Sequence, residues 1–266
     1  MSNPIIRSSL IFPYRGQPWV SWYLCGDGST DDQRNAHIAW CHANNCNTVI
    51  LNLCNEELMS LFQPHDFMGT LDNRRVDLLA NYVFKLRAEG LFVAFAFYDG
   101  PAIRDGRYHP ILWASDMQHA VFIKEVCRAF NPYVSIYLLG CESGRYGWSS
   151  DRVEQFIFHI KQCAGPGHLV GAHEQSVGWN GKGWYMKRRV PRNADIHCYE
   201  TSNHPKDGDS RTAASMADEV RFLVANAGGI PVWVAEHNLY DSERSREQSR
   251  AIAEIPGVIG IPGPTG

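Results

Sequence analysis

Eight short apolar runs, separated by stretches with helical periodicity, are the feature that most constrains the fold of this chain. The runs carry no regular polar alternation, which indicates strands buried on both faces, as in a parallel sheet. We predict strands at residues 18–24, 48–53, 91–97, 134–139, 168–172, 194–198, 230–235 and 257–261. Strict alternation of strands and helices leaves a doubly wound sheet or a closed barrel. A count of eight favours an α/β fold with a single (β/α)8 TIM barrel.

The intervening segments predict about seven helices. Their bounds are close to residues 30–45, 72–90, 115–130, 149–165, 210–228 and 242–253, with a short basic helical piece after the Gly/Trp-rich residues 178–185. The eighth helix is expected to be missing, and no linker divides the chain, so residues 1–266 are expected to form one catalytic domain. No GxGxxG follows the first strand, which lowers the case for a dinucleotide-binding fold.

Charge and hydropathy exclude several partners. The net charge of −3 provides no basic field for nucleic acid. No run of about 18 uncharged apolar residues is present, so we expect no membrane partner. The N-terminal residues have no signal-peptide pattern, which predicts a cytoplasmic protein or release by a non-classical route such as lysis or a particle. The eight cysteines contain no CxxC and are interpreted as free thiols.

Two glutamates follow predicted strands at the points where the chain leaves the barrel. Glu142 comes after the fourth strand and Glu236 after the seventh. The carboxyl ends of the strands are where a TIM barrel keeps its chemistry, and strands four and seven lie nearly opposite in a ring of eight. A retaining glycosidase needs two carboxyl groups about 5–5.5 Å apart, one as nucleophile and one as acid/base. The pair therefore predicts cleavage of a glycosidic bond.

The chain resembles the large clan of retaining glycoside hydrolases with a (β/α)8 barrel, which includes cellulases, mannanases and β-galactosidases. Those enzymes have an acid/base glutamate after strand four, a nucleophile glutamate after strand seven and often a His-x-Tyr at strand six; this sequence has Glu142, Glu236 and His197-Cys198-Tyr199 there. The resemblance implies that Glu142 protonates the leaving oxygen and Glu236 attacks the anomeric carbon. It also implies that Tyr199 holds Glu236 ionised through a hydrogen bond, while His197 contacts substrate or orients the acid/base.

Further polar and aromatic residues at the strand ends are candidates for binding a sugar. Aromatic rings offer a large contact area with a polar edge, which suits stacking on sugar C–H faces. The predicted substrate-binding residues are Asn55, Tyr98, Asp99, Trp148, His173, Trp179 and Tyr240. We expect a carbohydrate substrate, no cofactor and no metal; the sequence leaves the oligomeric state open.

Some positions depart from the clan pattern and keep two alternatives open. Cys141 stands where the clan usually has an asparagine before the acid/base glutamate, and a thiol is a weak hydrogen-bond donor. The usual arginine after strand two and tryptophan at strand eight are also missing. One alternative is a non-catalytic glycan-binding barrel. The other is a metal-dependent TIM-barrel hydrolase or isomerase, because histidines and carboxylates at several strand ends are potential ligands.

Overall fold

The structure is a computed structural model. It describes residues 19–20, 30–43, 46–53, 71–98, 114–141, 147–201, 212–236 and 243–261. At residues 19, 20, 52, 141, 236, 244 and 245 it describes the backbone alone. Four predicted site residues, Asn55, Asp99, Glu142 and Tyr240, lie outside these ranges.

Eight strands form one parallel sheet, as the apolar runs predict. They are β1 (Trp19–Val20), β2 (Thr48–Asn52), β3 (Phe92–Ala96), β4 (Ile136–Cys141), β5 (Leu169–Glu174), β8 (Ile196–Glu200), β9 (Val232–Glu236) and β10 (Val258–Gly260). Their order in the sheet is β1-β2-β3-β4-β5-β8-β9-β10. Within the described ranges no pairing joins β1 to β10. The structure therefore establishes a parallel α/β sheet, and the closure of this sheet into a barrel stays a prediction.

One face of the sheet packs against itself. A single buried cluster contains Ile50 of β2, Leu138 of β4, Cys198 of β8 and Trp233 of β9. Contact between strands so far apart in the order requires the sheet to curl around this cluster. Trp233 is fully buried in the cluster, and burying a large apolar side chain stabilises the fold by roughly 2–3 kcal/mol.

Six helices among the described residues cover the outer face. They are α1 (Asp31–Ala43), α2 (Asn73–Ala88), α3 (Asp116–Phe130), α4 (Ser150–Ala164), α5 (Ala213–Asn226) and α6 (Glu243–Ala253). Their starts follow local capping chemistry: Ser115 and Gln118 form a capping box before α3, and Thr212 accepts from Ser215 N before α5. No helix in this part of the chain has the length and hydropathy needed to cross a membrane. None of the five cysteines with described side chains is in a disulfide.

The connection between β5 and β8 differs from the prediction. The Gly/Trp-rich residues form an antiparallel hairpin of β6 (Val177–Trp179) and β7 (Trp184–Met186), and the basic residues after it form bends and a turn in place of a helical piece. The basic residues do not form a helix because Lys187 N donates to Ser176 O at 2.8 Å, which continues the hairpin pairing. Pro191 also disfavours helical geometry at the residue before it.

Candidate active site

The carboxyl ends of the parallel strands bring several polar residues to one edge of the sheet. In the strand register, Cys141 of β4 lies opposite His173 of β5, and Glu236 of β9 lies opposite Glu200 of β8. Residues in register on adjacent strands have neighbouring Cα atoms. This edge is therefore where the predicted chemistry of the sequence converges.

Both strands that lead to the predicted catalytic glutamates carry a register shift just before them. Between β4 and β5 the pairing passes from Leu138 with Gly171 to Cys141 with His173, so β4 has one extra residue. Between β8 and β9 it passes from Tyr199 with Val234 to Glu200 with Glu236, so Ala235 is the extra residue. Such bulges occur at barrel rims and next to active sites, where they redirect a side chain.

The shift in β9 changes which residue lies beside Glu200. Val234 packs in the outer layer against α5, and Ala235 packs inside the curled sheet. Regular pairing would put Ala235 opposite Glu200, whereas the shifted register puts Glu236 there. Glu200 follows Cys198, an interior residue, by two positions, and residues two apart along a strand share a face.

His197 is a fully buried histidine at the start of the predicted His-x-Tyr pair. Its Nε2 lies 3.0 Å from the Ser176 hydroxyl, at the base of the hairpin. Burial lowers the pKa of His197 to about 4, because the charged imidazolium loses its hydration. The imidazole is therefore neutral near pH 7, and it holds the hairpin base against β8.

Tyr199 faces the outer layer of the molecule. Its ring belongs to the apolar cluster shared with Met216 and Val220 of α5, and its hydroxyl donates to Glu219 Oε1 on the same helix. The predicted hydrogen bond to Glu236 involves a side chain beyond the described part, so that contact stays a prediction. The contact present in the structure ties β8 to α5.

Tyr98 and Trp148 are corrected from substrate-binding to core residues. Both are buried, with Trp148 only 1% exposed, so neither ring is available for stacking on a sugar. The Tyr98 hydroxyl lies 2.7 Å from His119 Nδ1 on α3, and the Trp148 ring packs on His119 with centroids 5.1 Å apart. Arg152 covers Trp148 at 4.1 Å from the ring centroid and closes the cluster from outside.

His173 and Trp179 occupy different environments. His173 is fully buried at the end of β5, beside the backbone of Cys141. Trp179 is 38% exposed on the hairpin, where its ring lies 5.0 Å from that of Trp184. His173 thus lies at the carboxyl edge of the sheet, opposite Cys141, whereas Trp179 lies on the hairpin.

The structure contains two buried acids near the strand ends that the sequence analysis does not predict. Glu174, the last residue of β5, is buried and lies 3.8 Å from Arg188 Nε. Glu219 is fully buried on the apolar face of α5. The sequence contains a signal for Glu219, which lies on the same helix face as the apolar residues at positions 216, 220 and 223. An acid on a buried face requires a hydrogen-bond partner.

A metal centre would require several ligand side chains to converge on one point. Across the described ranges no group of three or more His, Cys, Asp or Glu residues has the geometry to hold a metal ion.

Comparison with solved structures gives the fold a precedent. The GH5_18 protein from Streptomyces cattleya, solved with GlcNAc, has a TM-score of 0.67 at 16% identity, over 94% of this chain and 70% of that one. A GH5_18 variant from Bifidobacterium longum subsp. longum, solved with Manβ1-4GlcNAc, has 0.64 at 11%, over 93% and 68%. The endo-β-1,4-mannanase from Thermotoga petrophila has 0.65 at 14%, over 96% and 68%.

The resemblance expected from the sequence is therefore confirmed at the level of fold: the chain shares the TIM-barrel fold of these glycoside hydrolases at low identity. No protein-family model and no curated protein sequence matches it.

Proposed function

We propose that the chain is a retaining glycoside hydrolase that cleaves an O-glycosidic bond of an oligo- or polysaccharide. Glu236 is the nucleophile and Glu142 is the acid/base. Residues 1–266 form one catalytic domain, built as a closed (β/α)8 barrel. The observation that carries the proposal is the register of β9, in which the extra residue Ala235 brings Glu236 opposite Glu200 at the carboxyl edge of the sheet.

The proposed reaction proceeds in two displacements. A carboxylate oxygen of Glu236 attacks the anomeric carbon while Glu142 donates its proton to the departing glycosidic oxygen, and a glycosyl ester forms. Glu142, now ionised, then takes a proton from a water that attacks the same carbon and releases Glu236. The two inversions give net retention. The bulge in β4 supports this arrangement, because bulges are common next to active sites, where they change the direction of a side chain.

We propose that His197 and Tyr199 contribute by holding β8 in place. His197 is a neutral imidazole that fixes the hairpin base through Ser176, and Tyr199 fixes β8 to α5 through Glu219. Both hold the strand that lies beside Glu236. A rigid setting of this kind matters, because misplacing a catalytic group by about 1 Å costs on the order of a hundredfold in rate.

The proposed substrate class is a β-linked glycan that contains mannose. Support comes from the neighbours with the same fold, one solved with Manβ1-4GlcNAc and one named an endo-β-1,4-mannanase. His173 is fully buried at the end of β5, so we propose that it supports the edge from within. Asn55, Asp99 and Tyr240 remain the predicted sugar-binding residues there.

The test uses activated aryl glycosides, with aryl β-mannoside first, and NMR of the product anomer. Glu236→Gln and Glu142→Gln are each expected to reduce release of the aryl group by at least about a thousandfold, since covalent and acid/base catalysis both depend on them. The matched control is Glu254→Gln, an exposed acid directly after the end of α6, which should keep full activity. Net inversion would contradict the double displacement, and activity lost on chelation would favour the metal-dependent alternative.

A non-catalytic glycan-binding barrel is the second candidate. The observation that favours it is Cys141, which sits opposite His173 in the register, where the resembling enzymes carry an asparagine. Binding of mannan by the wild-type protein, with no release of the aryl group from any glycoside, would establish this alternative. Cys141→Asn then provides a direct comparison, because it restores a full hydrogen-bond donor at that position.

A further inference from the structure

Two cysteines meet where α1 ends and β2 begins. Cys41 lies in the last turn of α1, on its buried face, and Cys46 comes two residues before Thr48, the first residue of β2. Cys46 N donates to Cys41 O at 2.8 Å, a hydrogen bond between positions five apart that is typical of a helix C-terminus. The side chains at the two ends of such a bond are frequently in contact.

The same hydrogen bond limits how far apart the two backbones are. With standard bond lengths, an N–O distance of 2.8 Å keeps the Cα atoms of Cys41 and Cys46 within about 6.7 Å of each other. A disulfide spans Cα separations of about 4.4–6.8 Å. The backbone separation is therefore already one that a disulfide accepts.

The two thiols also interact directly. A hydrogen bond with the Cys46 thiol, followed by burial, raises the pKa of the Cys41 thiol. This bond brings the two sulfur atoms together, so the side chains converge, as a disulfide requires. Neither Cys41 nor Cys46 is in a disulfide in the structure, which therefore contains the reduced form of a pair that can be joined.

The surroundings give the two thiols different roles. Cys41 is fully buried and Cys46 is 5% exposed, so a small oxidant reaches Cys46 first. The raised pKa keeps Cys41 protonated, and a thiol reacts as a nucleophile only after it loses its proton. The nearest base is His37, whose Nε2 lies 3.7 Å from Cys41 Sγ.

His37 is in a state that suits this task. Burial lowers the pKa of His37 to about 4, so its imidazole is neutral near pH 7. Its Nδ1 lies 2.6 Å from the Tyr82 hydroxyl oxygen. In the tautomer in which Nδ1 donates to this oxygen, Nε2 carries the lone pair that can accept the proton of Cys41.

We propose that Cys41 and Cys46 are an oxidation site, at which a peroxide converts the two thiols into a disulfide that joins the end of α1 to the start of β2. Cys46 attacks one peroxide oxygen, the O–O bond breaks, and a sulfenic acid and one water form. Cys41 then passes its proton to His37 and attacks the Cys46 sulfur. The S–S bond forms, the S–O bond breaks, and the departing hydroxide takes the proton from His37 to give a second water. Two electrons pass from the thiols to the peroxide, and the proposed glycosidase activity plays no part.

The experiment treats the folded protein with hydrogen peroxide, alkylates the remaining thiols in denaturant and maps the cysteines by mass spectrometry after trypsin and chymotrypsin digestion. We expect the peptide that contains Cys41 and Cys46 to lose both alkylation sites and the mass of two hydrogen atoms, and dithiothreitol to reverse the change. The disulfide should raise the midpoint of thermal unfolding by about 5 °C, because it constrains the unfolded chain. A lowered midpoint would contradict a bond that the folded backbone accepts.

The chain contains a matched pair of thiols as a control. Burial, followed by the nearby Cys163 thiol, raises the pKa of Cys127, and Cys163 is more exposed than either Cys41 or Cys46. If exposure alone decided which thiols react, Cys127 and Cys163 would be linked first. That result overturns the proposal, as does a disulfide from Cys41 or Cys46 to any other cysteine, or a Cys41–Cys46 bond that forms only in urea.

Two variants test the order of the steps. In Cys41→Ser the sulfenic acid on Cys46 has no thiol partner, so dimedone should trap it there, and Cys46→Ser should give no adduct on Cys41. An adduct on Cys41 in Cys46→Ser, or none on Cys46 in Cys41→Ser, contradicts the assigned roles. Thermal unfolding checks that both variants are folded, and the wild-type mapping decides the proposal without them.

Discussion

Two tyrosines at strand ends make parallel arrangements on opposite halves of the molecule. Tyr98, just after β3, contacts His119 Nδ1 on the helix that follows. Tyr199, in β8, donates to Glu219 on the helix that follows. All four side chains are fully buried in the outer layer. The difference is the partner: an imidazole in one pair and a carboxyl group in the other.

The identity of the partner changes how much free energy each hydrogen bond contributes to stability. A hydrogen bond between neutral groups contributes about 1 kcal/mol, whereas one to a charged acceptor contributes roughly twice as much. A buried carboxylate that loses its donor also keeps its full desolvation cost. The pair on β8, beside the proposed nucleophile, is therefore expected to be the stronger restraint on its strand.

The largest expected effect comes from removing the two hydroxyls. Tyr199→Phe should lower the free energy of unfolding by roughly 3 kcal/mol, because it deprives buried Glu219 of a donor, and Tyr98→Phe by about 1 kcal/mol. Urea unfolding of both variants measures the difference. Equal losses would show that the carboxyl partner adds nothing to the Tyr199 contact. The double variant Tyr199→Phe with Glu219→Leu should recover part of the loss, because it removes both partners of the hydrogen bond instead of one.

A smaller effect concerns acid stability and the neutral histidine beside Tyr199. The pKa of His197 is lowered to about 4 in the folded protein, so the unfolded chain binds a proton more readily. Stability is then complete above about pH 6.5 and falls as pH drops toward 4, by roughly 2 kcal/mol between pH 7 and pH 5. Burial also lowers the pKa of His37 to about 4, which adds a loss of the same sign.

His197→Gln, followed by urea unfolding from pH 7 to pH 4.5, tests this contribution. The variant should lose the part of the acid dependence that belongs to His197 and keep the part that belongs to His37. An unchanged pH profile would mean that His197 titrates alike in the folded and unfolded states. His37→Gln is the matched control, because it should remove the other part.

The two tyrosines also show which features of the fold can be predicted from the sequence. Long apolar runs such as the one ending at Leu139 predict buried parallel strands, and the described sheet confirms them. A run that is apolar on both faces does not reveal which residues face inward, because it has no alternation to read. The sequence therefore predicts Tyr98 at the mouth of the barrel, whereas its ring is buried against His119 of α3.

The register shifts cannot be predicted from the sequence, for a related reason. Nothing in Val234-Ala235-Glu236 signals an extra residue, because the shift depends on pairing with β8. The sequence predicts a helical piece after the hairpin because Lys187, Arg188 and Arg189 suit a helix by propensity. Their partners, Gln175, Glu174 and the acids of α4, become visible only in the fold.

The segment after the hairpin has a consequence of its own. It is held to α4 by the ion pairs of Arg189 and by Lys161 with Asp195, where other connections are fixed by apolar helices. These pairs are partly exposed, so dissolved salt screens them while leaving apolar burial intact. Residues 187–195 should thus be the first part of the outer wall to open as ionic strength rises. Hydrogen exchange in concentrated salt would reveal this as faster exchange confined to that strip.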